Sequence, residues 1–430
     1  MMLSHASIVF AAAAIFLAIP QAGMAQGCQP RLHPSPITSM TGDISAMVSA
    51  DDGRGGKAIY FGGTFSSING RSINRIARWW PGTDEIAEVA TWQGAAIPAA
   101  VNALYEFADP AGTAIFAATS NGVWKLVGDT WMRTGVLDGV RCDDFTVARV
   151  GGIDRLVVTA NRALSPAWMW TGSTWSAIGS VNTTSWHRSI ATLPGDDGDS
   201  QLVLGNVGPA QLLWDGIQWV EIASGSIPTP GSWSRTDVFV MPAAGEPAPS
   251  VIMVGPQGGS RGGAWRLQSN TWTNVGLGQV DSYLHTLDVF DLGLGQGPQL
   301  LAGGWGLYAR QGENWTTLIN SRPSSPQPLG QLGRIYAMKA HRASPLASPV
   351  LVLGGSFQVQ GTGAVNLAYL SSCLPCAADF NRSGAVTIDD LLGFLQAWFS
   401  GATSADLDGV LGVSVEDLFA FLGAWPVGCP

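Results

Sequence analysis

The sequence predicts a mainly β protein, a seven-bladed β-propeller followed by a small α-helical domain. Three observations predict this fold. A short apolar strand recurs seven times through the middle of the chain, residues 30–370 contain no helical pattern, and the C-terminal residues carry a duplicated loop and helix. The predicted boundaries are a signal peptide at 1–25, the propeller at 26–375 and the helical domain at 376–430.

The composition of the 430-residue chain suits stacked sheets better than a charged or helical protein. Only 12% of the residues are charged, and the chain holds 55 Gly and 18 Trp. Ordinary globular domains have about 25% charged residues. Arg and Lys total 22 against 31 acidic residues, and only three of these bases are lysines. Nucleic acid is therefore not an expected partner.

An apolar run near the N-terminus predicts export. Ile8–Ile19 contains 12 consecutive apolar residues, Pro20 ends the run, and Ala22–Ala25 places small residues where signal peptidase reads them. Cleavage is expected after Ala25, although the segment before the run has His5 and no Lys or Arg. The run is too short to anchor the chain in a bilayer, and no later stretch reaches about 18 apolar residues. The mature protein is expected to be secreted, extracellular or on the cell surface, without a membrane span.

Seven copies of a short apolar strand set the repeat. They are Ile59–Gly63, Ile115–Ala118, Leu156–Thr159, Leu202–Gly205, Val251–Gly255, Leu300–Gly304 and Leu351–Gly355. An aromatic residue follows each copy, at Trp79, Trp124, Trp170, Trp214, Trp265, Tyr308 and Tyr369. A further Trp follows six of these, at Trp92, Trp131, Trp175, Trp219, Trp272 and Trp315, with spacings of 39, 44, 44, 53 and 43 residues. A period of about 40–50 residues with several short strands is typical of propeller blades.

The two ends of the repeat predict how the ring closes. Small residues suit a crowded inner strand and large aromatics fill the wider gap further out. The seventh unit has no outer Trp strand, and the segment Gln29–Ser35 precedes the first unit without a partner. Because a closed ring needs one shared blade, this N-terminal segment is expected to supply the outer strand of the seventh.

The cysteines allow two disulfides in an exported protein. Cys28 and Cys373 stand at the two sides of the predicted seam, and a bond between them would lock it. Cys376 and Cys429 flank the helical domain, and joining them would stabilise a domain that is small for a single core. Cys142 is left over, most simply as a buried thiol. A redox or zinc motif at Cys373–Cys376 is disfavoured, because no second such motif and no nearby His accompany it.

One segment carries a resemblance to a known repeat. Tyr60–Trp79 resembles the repeat of secreted kelch-like or delta-60-type bacterial propellers, and Gly354–Phe357 keeps part of the same pattern. The resemblance implies the fold and does not carry a function.

The C-terminal domain is an internal duplication. Asp379–Asp390 and Asp406–Asp417 align at an offset of 27 residues, and each runs into an apolar helix, Leu391–Trp398 or Leu418–Trp425. The matched apolar residues have helical spacing and are expected to form a shared core. These matched pairs are Leu391 and Leu418, Phe394 and Phe421, Leu395 and Leu422, and Trp398 and Trp425.

The first loop has the spacing of a 12-residue calcium loop, which brings several hard oxygens to one point. Gly384 allows the sharp turn at position 6. The predicted ligands at positions 1, 3, 5, 7, 9 and 12 are Asp379, Asn381, Ser383, the carbonyl of Ala385, Thr387 and Asp390.

The second loop keeps only part of the pattern. Its predicted ligands are Asp406, Asp408, Ser414 and Asp417. Val410 stands where an oxygen ligand is expected at position 5, and Leu411 stands at the glycine position. We therefore expect one Ca²⁺ site in the first loop and a weaker or empty second one. The alternative for either loop is a helical hairpin that binds no metal.

The duplicated loop and helix resemble a type I dockerin, which has Asp rather than Glu at position 12. The ending Ala424–Cys429 is similar to the Gly-Cys-terminated dockerin-like modules of planctomycete secreted proteins. The resemblance covers 376–430 and implies a calcium-folded docking or anchoring module. In known dockerins the partner is a cohesin, which the resemblance does not by itself imply here. A cohesin-like or cell-envelope protein is the expected partner of residues 376–430.

Several predicted blades begin their innermost strand with polar or aromatic side chains. These candidates are Trp186, His187, Arg188, Trp233, Arg235, Tyr283, His285, Arg334 and Tyr336. Loops that feed the innermost strands surround the mouth of a propeller channel, so these side chains could hold a glycan or a peptide. The alternative is that Trp186 and Trp233 pack between blades and that the arginines face solvent.

No catalytic motif stands out, and no catalytic residue is predicted. Asp237 and Asp288 are candidates for a general acid or base by position only. The leading interpretation is a secreted, non-catalytic binding propeller displayed through the calcium-dependent module. The alternative is an extracellular polysaccharide-acting enzyme, a glycoside hydrolase or lyase, that carries the same module.

Overall fold

The computed structural model describes most of the chain after the predicted signal peptide. The described residues are 30–89, 97–162, 165–181, 187–195, 198–206, 211–222, 237–241, 250–257, 261–268, 271–275, 284–293, 297–312, 314–320, 333–343, 349–372, 378–381, 386–402, 405, 407 and 413–425. Only the backbone is described at 187, 206, 237–241, 250–257, 261–262, 268 and 320. The predicted signal peptide and Cys28, Cys373, Cys376 and Cys429 lie outside the described residues, so cleavage and both disulfides stay predictions.

The first part of the described chain forms strands β1 to β16. They are β1 (Arg31–Pro34), β2 (Met40–Thr41), β3 (Ile44–Asp51), β4 (Lys57–Gly63), β5 (Ser67–Ile68), β6 (Arg71–Ser72), β7 (Ile76–Trp80), β8 (Glu85–Glu88), β9 (Val101–Asp109), β10 (Gly112–Thr119), β11 (Gly122–Val127), β12 (Thr130–Arg133), β13 (Cys142–Val150), β14 (Ile153–Arg162), β15 (Ser165–Trp170) and β16 (Trp175–Ala177).

The second part forms strands β17 to β31 and two helices. They are β17 (His187–Pro194), β18 (Ser200–Asn206), β19 (Gln211–Trp214), β20 (Trp219–Ile222), β21 (Asp237–Met241), β22 (Ser250–Gln257), β23 (Arg261–Gln268), β24 (Thr271–Asn274), β25 (Leu284–Asp291), β26 (Pro298–Gly304), β27 (Gly306–Gln311), β28 (Asn314–Asn320), β29 (Arg334–His341), β30 (Val350–Gln358), β31 (Val365–Ser371), α1 (Ile388–Phe399) and α2 (Val415–Ala424).

The protein is mainly β, and its described strands form seven four-stranded antiparallel sheets. We number them in chain order as sheet 1 (β3, β4, β7, β8), sheet 2 (β9 to β12), sheet 3 (β13 to β16), sheet 4 (β17 to β20), sheet 5 (β21 to β24), sheet 6 (β25 to β28) and sheet 7 (β29, β30, β31, β1). A smaller sheet pairs β2, β5 and β6. Sheets 1 to 6 are meanders, and in sheet 7 the three-stranded meander β29 to β31 is completed by β1. We call the first strand of each meander innermost.

The N-terminal segment closes sheet 7, as predicted. Strand β1 pairs antiparallel with β31 from Arg31 opposite Ser371 to Pro34 opposite Ala368. The His33 ring stacks on Tyr369 with ring centroids 4.8 Å apart, and its Nε2 lies 3.1 Å from Ser371 Oγ. The first strand of the described chain thus completes the last sheet.

The innermost strands contact one another in a closed circuit. In the described residues β3 contacts β9, and contacts continue through β13, β17, β21, β25 and β29 back to β3. Seven apolar clusters, one between each pair of successive sheets, fill the spaces between them. Alternation along a strand supplies both sides: in β10, Ile115 and Ala117 face sheet 1, whereas Phe116 and Ala118 face sheet 3.

The repeated apolar strand is the second strand of each sheet and not the innermost one. A second strand has hydrogen-bonded neighbours on both edges and apolar clusters on both faces, which explains its continuous apolar sequence. Its glycines are required by close approach to the innermost strand. A Cβ atom added to Gly63 would collide with the carbonyl oxygen of Asp43, and one added to Gly355 would collide with that of Arg334.

Four outer Trp residues link their sheet to the one before it. The Nε1 atoms donate hydrogen bonds across about one repeat: Trp131 to Val89 O (3.3 Å), Trp175 to Thr134 Oγ1 (2.8 Å), Trp219 to Ile178 O (2.7 Å) and Trp315 to Val275 O (3.1 Å). Trp suits this position because it combines a large apolar body with one donor. Trp92 lies outside the described residues.

Helices α1 and α2 share one apolar contact. The rings of Phe394 and Phe421 are fully buried and stack with centroids 4.2 Å apart, and Phe380 packs edge-on against Phe394. Trp398 Nε1 donates to Ser414 O at 2.6 Å, which ties the end of α1 to the start of α2. Neither described helix is long and apolar enough to cross a membrane.

The predicted helical core is confirmed except at Leu422. Leu422 is 44% exposed, whereas its counterpart Leu395 packs against the cluster. The buried stripe of α2 is therefore narrower than predicted and follows Leu418, Phe421 and Trp425 at spacings of three and four residues. Both helices also begin three residues before the predicted apolar segments.

Candidate functional site

The described channel-mouth candidates lie at the start of innermost strands. Arg188 is in β17, His285 is in β25, and Arg334 and Tyr336 are in β29. His187 is in β17 with only its backbone described. Trp186, Trp233, Arg235 and Tyr283 lie outside the described residues.

Six of the seven innermost strands carry a β-bulge near their first residues. The pairing with the second strand skips one residue, or two in sheet 3, and the described pairs of β21 show no such skip. The skipped residues, which we call the bulge ring, are Ser45, Asn102, Asp143, Asp144, Arg188, His285 and Tyr336. A bulge leaves its extra residue outside the ladder and can re-aim its side chain, and bulges are enriched beside active sites.

At two of the bulges a polar side chain is partly exposed between buried neighbours. His285 is partly exposed between Leu284 and Thr286, which are 0% and 7% exposed. Tyr336 is likewise partly exposed between the buried residues Ile335 and Ala337. In these two strands the skipped residue therefore reaches solvent, while the residues on either side of it stay buried.

The members of the bulge ring lie at one end of the sheets. A four-stranded meander returns the chain to the end where it began, so successive innermost strands run in the same direction. Contacts between sheets agree with this: Asn102 Nδ2 donates to Cys142 O at 2.8 Å, and the rings of His285 and Tyr336 lie 5.0 Å apart. Of the predicted candidates, Arg188, His285 and Tyr336 thus belong to this one arrangement.

The sector of the ring at sheets 3 and 4 is charged. Arg141 donates from Nε and Nη2 to the Asp143 carboxylate at 2.7–3.0 Å, and this bond raises the pKa of Arg141 against the effect of its burial. Burial lowers the pKa of Arg188. The positive charge of Arg141 lowers this pKa further, whereas the negative charge of Asp143 raises it. With Asp144, which also lies in this sector, the two guanidinium groups face two carboxylates.

The sector at sheets 6 and 7 combines aromatic faces with a cation. The Arg334 guanidinium lies 4.3 Å from the centroid of the Trp305 ring. Arg334 is exposed, and Trp305 is partly exposed. Together with His285 and Tyr336 this sector offers flat apolar surface beside a positive charge.

Asp288 has a structural role. Its Oδ1 accepts the N–H of Val289 at 2.9 Å, and its Oδ2 accepts the N–H of Ala340 in the next sheet at 2.7 Å. Asp144 does the same between sheets 3 and 4, through Phe145 and Ile190. These carboxylates therefore join neighbouring innermost strands by hydrogen bonds. The side chain of Asp237, the other positional candidate, lies outside the described residues.

Ser45, Asn102, Asp143 and Asp144 were not predicted as site residues. A sequence signal exists for the first two: each is a single polar residue between apolar ones at the start of a strand, as in Ile44-Ser45-Ala46. Cys142, next to Asp143, is a buried free thiol as predicted, and burial raises its pKa.

The first C-terminal loop is closed by Asp390. Its Oδ1 accepts the N–H of Asn381 at 2.8 Å, and its Oδ2 accepts the N–H and hydroxyl of Thr387 at 2.9 and 3.1 Å. Burial alone would raise the pKa of Asp390, but these bonds and one with Asp379 hold it below its usual value. Asp390 is 0% exposed and Asp379 is 8% exposed.

This donor set fits a hard cation. Two buried carboxyl groups in contact repel each other when both are ionised, unless a positive charge joins them. Each carboxylate has lone pairs beyond those used by the N–H groups. Ser383 and Ala385 lie outside the described residues, which contain no group of three His, Cys, Asp or Glu able to hold a metal.

The second loop repeats the hydrogen bonds that Asp390 makes in the first. Asp417 is 0% exposed, its Oδ1 accepts the N–H of Leu407 at 2.6 Å, and its Oδ2 accepts the N–H and hydroxyl of Ser414 at 2.7 and 3.1 Å. The predicted ligands Asp406 and Asp408 lie outside the described residues. The duplication is thus visible in the hydrogen bonds as well as in the sequence.

Comparison with known proteins shows similarity of fold only. No family model matches the chain, and no curated protein matches it. BBS1N, solved in complex with ARL6DN, is 9% identical with a TM-score of 0.50, over 81% of this chain and 98% of that one. The extracellular domain of the one-component system BT4673 from B. thetaiotaomicron (12% identity, TM-score 0.49) and Chaetomium thermophilum Raptor (12%, 0.46) each match 79% of this chain, which spans 39% and 30% of theirs.

Proposed function

We propose that the chain is an exported seven-bladed β-propeller that binds a ligand at the bulge ring and is displayed through a calcium-dependent docking module at 376–430. The closed circuit of innermost strands, with an apolar cluster between every pair of successive sheets, supports the propeller. The apolar run Ile8–Ile19 within the predicted signal peptide supports export. No described pair of carboxylates supports the alternative of a glycoside hydrolase or lyase.

The observation that carries the docking proposal is a duplicated apolar surface. Ile388 and Leu392 on α1 are 61% and 58% exposed, and their counterparts Val415 and Phe419 on α2 are 51% and 66% exposed. The opposite sides of both helices are buried at the Phe394 stack. We call these four exposed residues the docking face. Exposed apolar residues repeated at matched positions favour contact with a protein partner.

Calcium is proposed to order the module by joining its buried carboxylates. Asp379, Asn381, Ser383, Thr387 and Asp390 would hold the ion in the first loop, with the carbonyl of Ala385. A bound divalent cation supplies positive charge among oxygen ligands and stabilises the folded loop. The second loop is proposed to bind more weakly, because Val410 and Leu411 replace a ligand and a glycine.

A calcium titration of the mature full-length chain tests this proposal. We expect Ca²⁺ to slow hydrogen exchange at α1 and α2 and to leave the strands unchanged. The Asp379→Asn variant should lose most of the response, whereas the matched Asp406→Asn variant should keep most of it. An absent response, or an unchanged one in Asp379→Asn, contradicts a calcium site in the first loop.

Retention on the producing cell's envelope tests the docking face. The Leu392→Asp and Phe419→Asp double variant should release the protein, and chelation of Ca²⁺ should do the same. Ile217→Asp is the matched control, because Ile217 is an apolar side chain of the strand region that is 85% exposed. Equal retention of the double variant and the wild type would refute docking through this face.

A further inference from the structure

We propose that the bulge ring binds an acidic oligosaccharide, a chain of sugars that carry carboxylates. This inference rests on the proposed function, in which the bulge ring is the ligand-binding site. Arg188 and Arg334 bind carboxylates in separate sectors, and Tyr336 with Trp305 packs against a sugar ring. The proposal names the ligand class that the proposed function leaves open.

The charged groups in and beside the ring, three arginines and two aspartates, favour an anion by one charge. The carboxylate of Asp143 is engaged by three hydrogen bonds from Arg141, and Asp144 accepts the N–H groups of Phe145 and Ile190. Asp143 is thus paired with Arg141, whereas Asp144 is held by backbone N–H groups and keeps its charge. The guanidinium groups of Arg188 and Arg334 add positive charge, and a guanidinium matches a carboxylate through paired hydrogen bonds.

The aromatic sector favours a sugar over a simple anion. Trp305 and Tyr336 are partly exposed beside Arg334, and a flat ring face buries the apolar face of a pyranose. The Tyr336 hydroxyl can donate to or accept from sugar hydroxyls. A small inorganic anion would leave these faces in water.

The separation of the two sectors requires more than one sugar. Arg188 belongs to sheet 4 and Arg334 to sheet 7, and the circuit of innermost strands places sheets 5 and 6 between them on one side and sheets 1 to 3 on the other. One monosaccharide carboxylate is not expected to reach both groups. An oligosaccharide laid across the mouth engages both at once, which raises its affinity over that of the monomer.

Isothermal titration of the mature chain with an oligogalacturonate tests the proposal. We expect binding that weakens as salt is added, at least tenfold weaker binding of the fully methyl-esterified oligosaccharide, and weaker binding of galacturonic acid itself. Arg188→Gln and Arg334→Gln should each reduce the affinity about tenfold or more, because each removes a charged hydrogen-bonding group. Arg334 is exposed, so its variant should fold even if Arg188→Gln does not.

Arg149→Gln is the matched control, because Arg149 is exposed near the far end of β13 and its loss removes the same charge. Equal binding of the free acid and its methyl ester would overturn the acidic selectivity while leaving the ring a glycan site. Binding of poly-glutamate with the affinity of the oligogalacturonate would identify a peptide site instead. Absence of binding to every probe also overturns the inference, and the separate calcium and retention experiments then decide whether the display function stands.

Discussion

The strand region at 30–372 and the helix pair at 378–425 are both built from repeats, yet their repeats hold together differently. Each described sheet is covered on both faces by its neighbours, and the covering residues are apolar. The helix pair shares one Phe394–Phe421 stack and closes its loops with buried carboxylates. One region is stabilised by apolar area, and the other depends on how its charges are compensated.

The distribution of charge follows this difference. Residues 377–430 contain seven acids and one arginine, a net charge of −6, against −9 for the whole chain. Two thirds of the negative charge therefore belongs to a small fraction of the length. A repeat that buries both faces has little room for charge, whereas the calcium ion proposed for the C-terminal loops would need acidic ligands.

The largest expected effect separates the two regions. Phe394→Ala removes a fully buried ring and should lower the unfolding free energy of the helix pair by about 3–5 kcal/mol. Hydrogen exchange should then lose protection in α1 and α2 while the strands keep theirs. Leu392→Ala, at an exposed position of the same helix, is the control. Lost protection in the strands would show that the regions do not unfold independently.

A pH effect of nearly the same size should be confined to the strand region. His341 is 3% exposed, and burial, with a smaller contribution from Lys57, lowers its pKa to about 4. Between pH 6.5 and 4 the His341 side chain binds a proton in the unfolded chain but not in the folded one. The unfolding free energy therefore falls as the pH drops from 6.5 to 4, and it is unaffected by His341 above pH 6.5. The loss should be on the order of 3 kcal/mol at pH 4.

Urea unfolding of the wild type and of His341→Asn, followed by strand signals across this window, measures the effect. The variant should show a flatter pH profile, even though it also alters the hydrogen bond between His341 Nδ1 and Ser49 Oγ, which is 2.8 Å long. Parallel profiles for the two proteins would show that His341 is not the titrating group.

A smaller effect tests the close approach of strands. Gly63→Ala should lower the unfolding free energy by about 1–3 kcal/mol, because its Cβ would meet the carbonyl oxygen of Asp43. Gly82→Ala is the control, since nothing lies within 4 Å of a Cβ at that position. Chemical denaturation that gives equal stability for both variants would remove the steric explanation for the Gly-Gly repeat.

The smallest effect concerns the links between sheets. Trp219→Phe removes the hydrogen bond to Ile178 O and should cost about 1 kcal/mol more than Trp272→Phe, whose Nε1 has no partner in the described residues. Both variants lose similar ring area, so the difference in denaturation midpoint isolates the hydrogen bond. A larger loss in Trp272→Phe would be inconsistent with this role of the outer Trp.

Much of the architecture could be predicted because it repeats. The seven apolar strands, the aromatic positions behind them and the use of the N-terminal segment in sheet 7 all follow from spacing and from one missing strand. The duplicated loop and helix were predicted for the same reason. The burial predicted for Leu422 was wrong, because helical spacing does not determine how wide an apolar stripe the partner helix covers.

The candidate site was harder to predict because its residues are not close in the sequence. Arg188, His285 and Tyr336 drew notice as polar residues at strand starts, but nothing local indicated that each is the extra residue of a bulge. Asp288 is a candidate acid or base by position only, and the sequence does not show that its oxygens accept N–H groups of two strands. Hydrogen-bond partners across sheets depend on register, and register depends on every strand in the circuit.

Period, strand character and the concentration of acids near the C-terminus are local properties, and the residues alone set them through alternation, side-chain volume and charge. The bulge ring, the carboxylates that join innermost strands and the side of each helix left exposed are decided only when distant strands and helices meet. The physical reason is that a ladder partner, a packed face or a shared cation requires a second segment, which the local sequence does not specify.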